Sequence, residues 1–400
     1  MRMSNLLVLN LTIACILIVI VSFVILYVYR DHKFVNNKSK DISKFTFFCI
    51  LFTSGLDIGL IMFPLMEFKQ YSEPQYLNIN PLSLEIGFWG GAVWIFYFIT
   101  TFYFSFVEPK IKIFDSRYMK IIMSVLMLLT CAFTAKLFVD FFKFYMPASI
   151  VGSYPEFFTH EKIIIYTIII LTFSMLSALS VNFIKIVSFL SIIFFGGLIL
   201  WGIAIVSSIY SLHGYFNDII MALEGYVENI DKFITPMNSY HQFYLFWWFS
   251  WSLMIGRFVS EFVPKGTTPL QLFLFMVVVP TIPLSLWFGV LYVFYTSGHT
   301  ISLMYLILMS VVGILFVINS FDSILRVSAN LIESSLSTFS YKKALLLAYV
   351  LLILFFIGYA GFQSNEGFIK IDYTGTLSIV LLYYLLYRTV KYFIKLKVDK

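Results

Sequence analysis

About eleven apolar stretches follow one another along this chain, at roughly 6–28, 44–64, 86–107, 119–141, 161–184, 190–213, 240–262, 270–296, 300–322, 341–362 and 374–395. Each is near or above the ~20 residues that a helix needs to cross a hydrocarbon core. In such a medium every backbone polar group must be satisfied within the segment, so the stretches are expected to be helices. Only 12% of the residues are charged, against ~25% for a soluble domain. The chain therefore reads as an all-α polytopic membrane protein. The first stretch lacks a short apolar region followed by a small-residue cleavage site, and is expected to be a retained helix.

Basic residues set the expected orientation. With the N-terminus outside, Arg30, Lys33, Lys38, Lys40, Lys44, Lys110, Lys112, Arg117, Lys120, Lys185, Lys265, Arg326, Lys342, Lys343, Arg388, Lys391, Lys395, Lys397 and Lys400 fall on the inner side. Arg2, Lys69, Lys143, Lys162, Lys232 and Lys370 fall outside, while Lys136 and Arg257 sit within stretches. Nineteen against six is a strong inside bias, and it puts the C-terminus inside. The net charge of +6 follows from topology and calls for no nucleic-acid partner. Cys15, Cys49 and Cys131 lie in apolar stretches, so no disulfide framework or paired-cysteine metal motif is expected. His32, His160, His213, His241 and His299 are scattered, and no nucleophile–base spacing points to an enzyme.

The segment 214–239 reads as an amphipathic helix at the outer surface, with Phe216, Ile219, Ile220, Leu223, Tyr226, Val227 and Ile230 set against Asp218, Glu224, Glu228 and Asp231. It divides the chain into a lead-in helix and basic loop (1–43), five stretches (44–213) and five more with a basic tail (240–400). Five is odd, so the second set must be inverted relative to the first, the 5+5 plan of LeuT-type transporters. In the first helix of the first half, Gly55, Asp57 and Gly59 interrupt an apolar run. The glycines permit either an unwound backbone lining a cavity or close helix packing.

Two aromatic sets stand out: Trp89, Trp94 and Tyr97, and Trp247, Trp248 and Trp251. On an α-helix the first falls within about 140° and the second within about 100° of one face. Converging indole faces hold a desolvated cation at ~2 kcal/mol or more per good contact. An aromatic packing seam or interfacial belt is the plainer reading of the same residues.

These residues together resemble the BCCT (betaine/choline/carnitine) family of secondary transporters. The similarity is carried by Trp247-Trp248-Phe249-Ser250-Trp251, Gly256-Arg257-Phe258-Val259, Lys265-Gly266-Thr267, Val279-Pro280-Thr281, the 52–63 stretch, the Trp89/Trp94/Tyr97 spacing and Phe316-Val317-Ile318-Asn319-Ser320-Phe321-Asp322-Ser323. It runs in order over about 44–395, as a short member without the family's first helix and regulatory tails. The resemblance implies import of a quaternary ammonium solute (choline, glycine betaine or carnitine class) across a bacterial plasma membrane, coupled to sodium, with no organic cofactor and a homotrimer as the family's assembly. Trp89, Trp94, Tyr97 and Trp248 would cage the trimethylammonium group, with Trp247 and Trp251 along the path. Thr53, Leu56, Phe316, Asn319 and Ser320 would hold the sodium ion.

Four departures qualify this. The missing helix and tails are the first. The fourth stretch keeps only Thr130 and Thr134 where a second cation site would lie. Asp57 replaces a glycine: it would favour choline over a carboxylate-bearing betaine, serve proton coupling, cap broken backbone, or complete the cation site. Lys136/Asp140 and Arg257/Glu261 are spaced to neutralise each other at i,i+4. The rival readings are a degenerate homologue that binds solute or a partner without transport, and a carrier coupled to protons or working by exchange.

Overall fold

A computed structural model describes residues 5–33, 43–55, 59–142, 146, 148–336, 338–361 and 369–398. Among the described residues the chain is helical and contains no strand. The helices that matter are α1 (Asn5–Tyr29), α2 (Lys44–Gly55), α3 (Gly59–Tyr71), α4 (Pro81–Ile111), α5 (Arg117–Phe141), α6 (His160–Ser177), α7 (Val181–Ile209), α8 (Leu212–Glu228), α9 (Ser239–Val259), α10 (Pro269–Ser297), α11 (Leu303–Ser335), α12 (Tyr341–Ala360) and α13 (Ile371–Val398). Among the described residues, eight of these are long and apolar enough to cross a membrane: α1, α4, α5, α6, α7, α10, α11 and α12. The protein is a polytopic, all-helical membrane protein. The three other expected stretches are also helical. The stretch 44–64 falls on α2 and α3, α9 is diluted by tyrosine, serine and histidine, and α13 by tyrosine and basic residues.

Lipid-facing surfaces follow from composition. Along α1, Leu6, Leu9, Ile13, Ile16, Ile20 and Phe23 are all exposed, a continuous apolar face of the kind that lies against lipid. The interior is built by α4, α5, α9 and α11. Helix α11 packs on α5, α7, α12 and α6, and α9 on α4, α13 and α5. The α4–α9 crossing is pinned by Thr100, whose hydroxyl donates to the Ser252 carbonyl at 2.5 Å.

Helix α11 differs from the expected stretch. It has 33 residues and runs past 322 to Ser335, so Arg326 lies inside a helix and not in an inner loop. The reason is local neutralisation: Arg326 pairs with Asp322 at 2.7 Å, and its Nη2 also donates to the Ser177 and Ser180 carbonyls at 3.2 Å. Likewise α7 begins at Val181, which places Lys185 on a helix.

The amphipathic segment forms α8 and a following turn, Ile230–Phe233. It rests on α4 where there is no side chain in the way: a Cβ at Gly91 would lie 2.3 Å from the Tyr226 Oη.

Candidate functional site

Helix α4 is not a uniform α-helix. Between Ile86 and Ala92 (Ile-Gly-Phe-Trp-Gly-Gly-Ala) it widens into π-helical turns, and the Val93 N–H donates to the Phe88 carbonyl five residues back. Such bulges are frequent at functional sites. The widened turn changes which side chains align. Trp94 donates its indole N–H to the main-chain carbonyl of Trp89 at 2.9 Å. Thr281 of α10 donates its hydroxyl to the Gly90 carbonyl, fixing the turn from the other side.

Trp89 points at α9. Its ring meets Tyr244 at 5.4 Å, Trp247 at 5.7 Å and Trp248 at 6.3 Å between centroids, each nearly edge-to-face. Tyr244 in turn stacks on Trp247 at 6.0 Å and Trp248 at 5.5 Å. Trp248 also meets Phe88 and Phe96 of α4, at 5.8 and 5.9 Å. Aromatic pairs of this geometry contribute about 0.5–1.5 kcal/mol each beyond burial. The indole N–H groups of Trp89 and Trp248 are buried with no acceptor among the described residues, so both remain donors.

Trp94 and Tyr97 form a second group, 5.5 Å apart and edge-to-face. Trp94 stacks on Phe52 of α2 at 6.4 Å and 14°. Its ring fills the space beside Gly55, where a Cβ would sit 3.1 Å from ring carbons. Of the expected cage, Trp89 and Trp248 are thus in mutual contact with Trp247, Trp94 and Tyr97 are in contact beside Gly55, and the two groups join at the Trp89 carbonyl. Because Trp89 and Trp248 already touch, a trimethylammonium group between them requires the rings to part.

Trp251 and Trp247 both donate to one acceptor, the Thr134 hydroxyl of α5, at 2.9 and 3.2 Å. Thr134 donates onward to the Thr130 carbonyl at 3.3 Å. Its hydroxyl is committed to two tryptophans, a role that the 130/134 spacing alone does not reveal.

Of the residues expected to hold sodium, Thr53, Phe316, Asn319 and Ser320 are buried where α2 meets α11. The Thr53 hydroxyl donates to the Cys49 carbonyl at 2.8 Å. Phe316 packs edge-on against Phe52 at 6.2 Å, and Ser320 is fully buried. The Asn319 amide is turned to α7, donating to Ser191 Oγ at 2.9 Å and accepting from Ser188 Oγ at 3.3 Å. Contact across the seam is made by Ser54 and Ser323, whose hydroxyls are 3.1 Å apart. Leu56 and Asp57 lie outside the described residues. Gly59 opens α3.

One pairing is not legible in the sequence, although Glu67 itself stands at a position that matches the resembled family. Glu67 on α3 and Glu85 in the first turn of α4 are 2% and 0% exposed and interact with each other. Glu67 Oε1 accepts from Tyr240 at 2.5 Å and also from Tyr244. The available signal was weak: neither acid has a basic residue three or four positions away. The expected i,i+4 pairs are both formed, Lys136 with Asp140 and Arg257 with Glu261 at 3.7 Å.

No family model matches this chain, and no curated protein matches it either.

Proposed function

We propose that this chain is a secondary carrier of the BCCT kind, and not an enzyme, built on a LeuT-type 5+5 inverted repeat with its N-terminus outside. It moves a quaternary ammonium solute of the choline, glycine betaine or carnitine class across a bacterial plasma membrane by alternating access, and assembles as a homo-oligomer. In this reading 44–213 and 240–395 are the two halves and α8 lies between them at the outer surface.

The observation that carries the reading is the burial of Trp89 against Trp247 and Trp248 of a helix far away in sequence, with Trp94 and Tyr97 packed next to them beside Gly55. Leucine would fill such space with less bulk; indoles add a face for a cation and a free donor for a carboxylate. The α2–α11 seam is where a coupling sodium ion is expected, with Thr53, Leu56, Phe316, Asn319 and Ser320 about it.

The direct contact of Trp89 with Trp248 favours a second reading, a homologue that binds solute or a partner and does not transport. Uptake of radiolabelled choline and glycine betaine, with and without sodium, in cells lacking their own carriers separates the two. Sodium-dependent uptake abolished by Trp248→Ala supports the carrier. Full expression at the membrane with no uptake of either solute supports the binding protein.

A further inference from the structure

Glu67 and Glu85 lie side by side among fully buried residues, and neither takes part in an ion pair among the described residues. Glu67 Oε1 receives both tyrosine hydroxyls, of Tyr240 and Tyr244, while Glu67 Oε2 and both oxygens of Glu85 receive none. The Tyr71 hydroxyl, fully buried, lies against Glu67. Two adjacent carboxylates cannot both stay charged in such surroundings, because burial and mutual repulsion both penalise the second charge. One shared proton removes the repulsion and gives the empty oxygens a donor.

The other titratable groups around the pair do not supply a cation. They are Tyr76 after α3, His241 in the same turn of α9 as Tyr240, Tyr226 of α8 near the start of α4, and Tyr292 and Tyr295 of α10 behind Phe68. His241 Nδ1 accepts from the Met237 N–H at 3.1 Å, which leaves the ring neutral with its proton on Nε2.

The pair also has a route to water. A cavity of about 600 Å³ opens between α5, α9 and α13, with Lys136, Asp140, Lys370 and Asp372 on its walls and Tyr240 in its lining. Tyr240, which lines the cavity, donates its hydroxyl to Glu67. A cavity with charged walls holds water, and from it Tyr240 connects to Glu67, beside which Glu85 lies.

We propose that Glu67 and Glu85 form one proton-binding site, fed through Tyr240 from the cavity between α5, α9 and α13, and that its proton is taken up and released during transport. The second half of this statement rests on the carrier reading above; the first does not. On uptake, the proton passes from water to Tyr240 as that hydroxyl hands its own proton to Glu67. Release reverses the relay, and nothing is oxidised or reduced.

The full chain in liposomes gives two independent readouts. Infrared spectra at neutral pH should show a protonated-carboxyl band that is lost or shifted in both Glu67→Gln and Glu85→Gln and unchanged in Glu73→Gln, an exposed acid. The absence of any band sensitive to Glu67→Gln or Glu85→Gln overturns the proton site. For the coupling, an inward gradient of one pH unit should support about tenfold accumulation of choline or betaine per coupled proton. Glu85→Gln should lose that accumulation while still equilibrating solute, and Tyr240→Phe should slow its onset. Wild-type accumulation indifferent to the pH gradient overturns the coupling. Wild-type protein that takes up neither solute defeats the carrier reading instead, and the infrared result still decides the proton site.

Discussion

The indole N–H of Trp94 donates to the main-chain carbonyl of Trp89, five residues earlier on the same helix. On a regular α-helix those two positions lie well around the cylinder from each other. The π turn over Ile86–Ala92 brings them into register, so one tryptophan is sent toward α9 and the other toward α2.

The space that receives Trp94 is set by Gly55. A Cβ there comes within 3.1 Å of the indole, so Gly55→Ala should be mildly and Gly55→Val clearly destabilising, by about 1–3 kcal/mol for the larger side chain. Thermal unfolding of the purified protein checks this. Adding Trp94→Phe to Gly55→Val should recover part of the loss, because the two share one volume.

Thr134 holds two indoles. Thr134→Val keeps the shape and leaves the Trp247 and Trp251 N–H groups without their acceptor, at a cost of about 1–3 kcal/mol for each group left unsatisfied. Thr134→Ser keeps the acceptor and should stay close to wild type. Thermal unfolding ranks the two variants, and tryptophan emission should change only in the valine variant.

Asp322 is 1% exposed and its partner Arg326 only 9%. Arg326→Ala leaves a buried carboxylate without its cation and should cost about 3–5 kcal/mol. Removing both charges, as Asp322→Asn with Arg326→Gln, should cost less than Arg326→Ala alone. The yield of folded protein in the membrane and the unfolding temperature measure both.

Gly91 is the floor on which α8 sits. Gly91→Leu should drive Tyr226 off α4 and expose the 212–233 segment to limited proteolysis, whereas wild type should resist cleavage there. Tyr226→Ala in the same background should restore the resistance if the clash at 2.3 Å is the cause.

Much of the architecture was legible because each apolar run had to satisfy its own backbone, and all eleven runs are helical in the described residues. Helix ends were less legible. Asp322 and Arg326 look like the approach to a loop when read singly, but four residues apart on α11 they cancel and the helix continues to Ser335. The tryptophans of α4 and α9 were visible by type and spacing, yet their partition into a Trp89 group and a Trp94 group depends on a π turn that an α-helical count of 100° per residue cannot register. Asn319 was visible as a polar residue in an apolar helix, but its partners Ser188 and Ser191 come from another helix. Glu67 and Glu85 belong to different helices and share no local period, so only the folded chain brings them together.

Tyr244 touches both halves of this interior: its ring stacks on Trp247 and Trp248, and its hydroxyl donates to Glu67. Any ligand that parts those rings therefore does work on the acid's hydrogen bond. Linkage then runs in both directions by the same factor: if solute alters the affinity for a proton at Glu67, the proton must alter the affinity for solute equally. On the proposed reading, a single phenol would then couple two ligands that never meet.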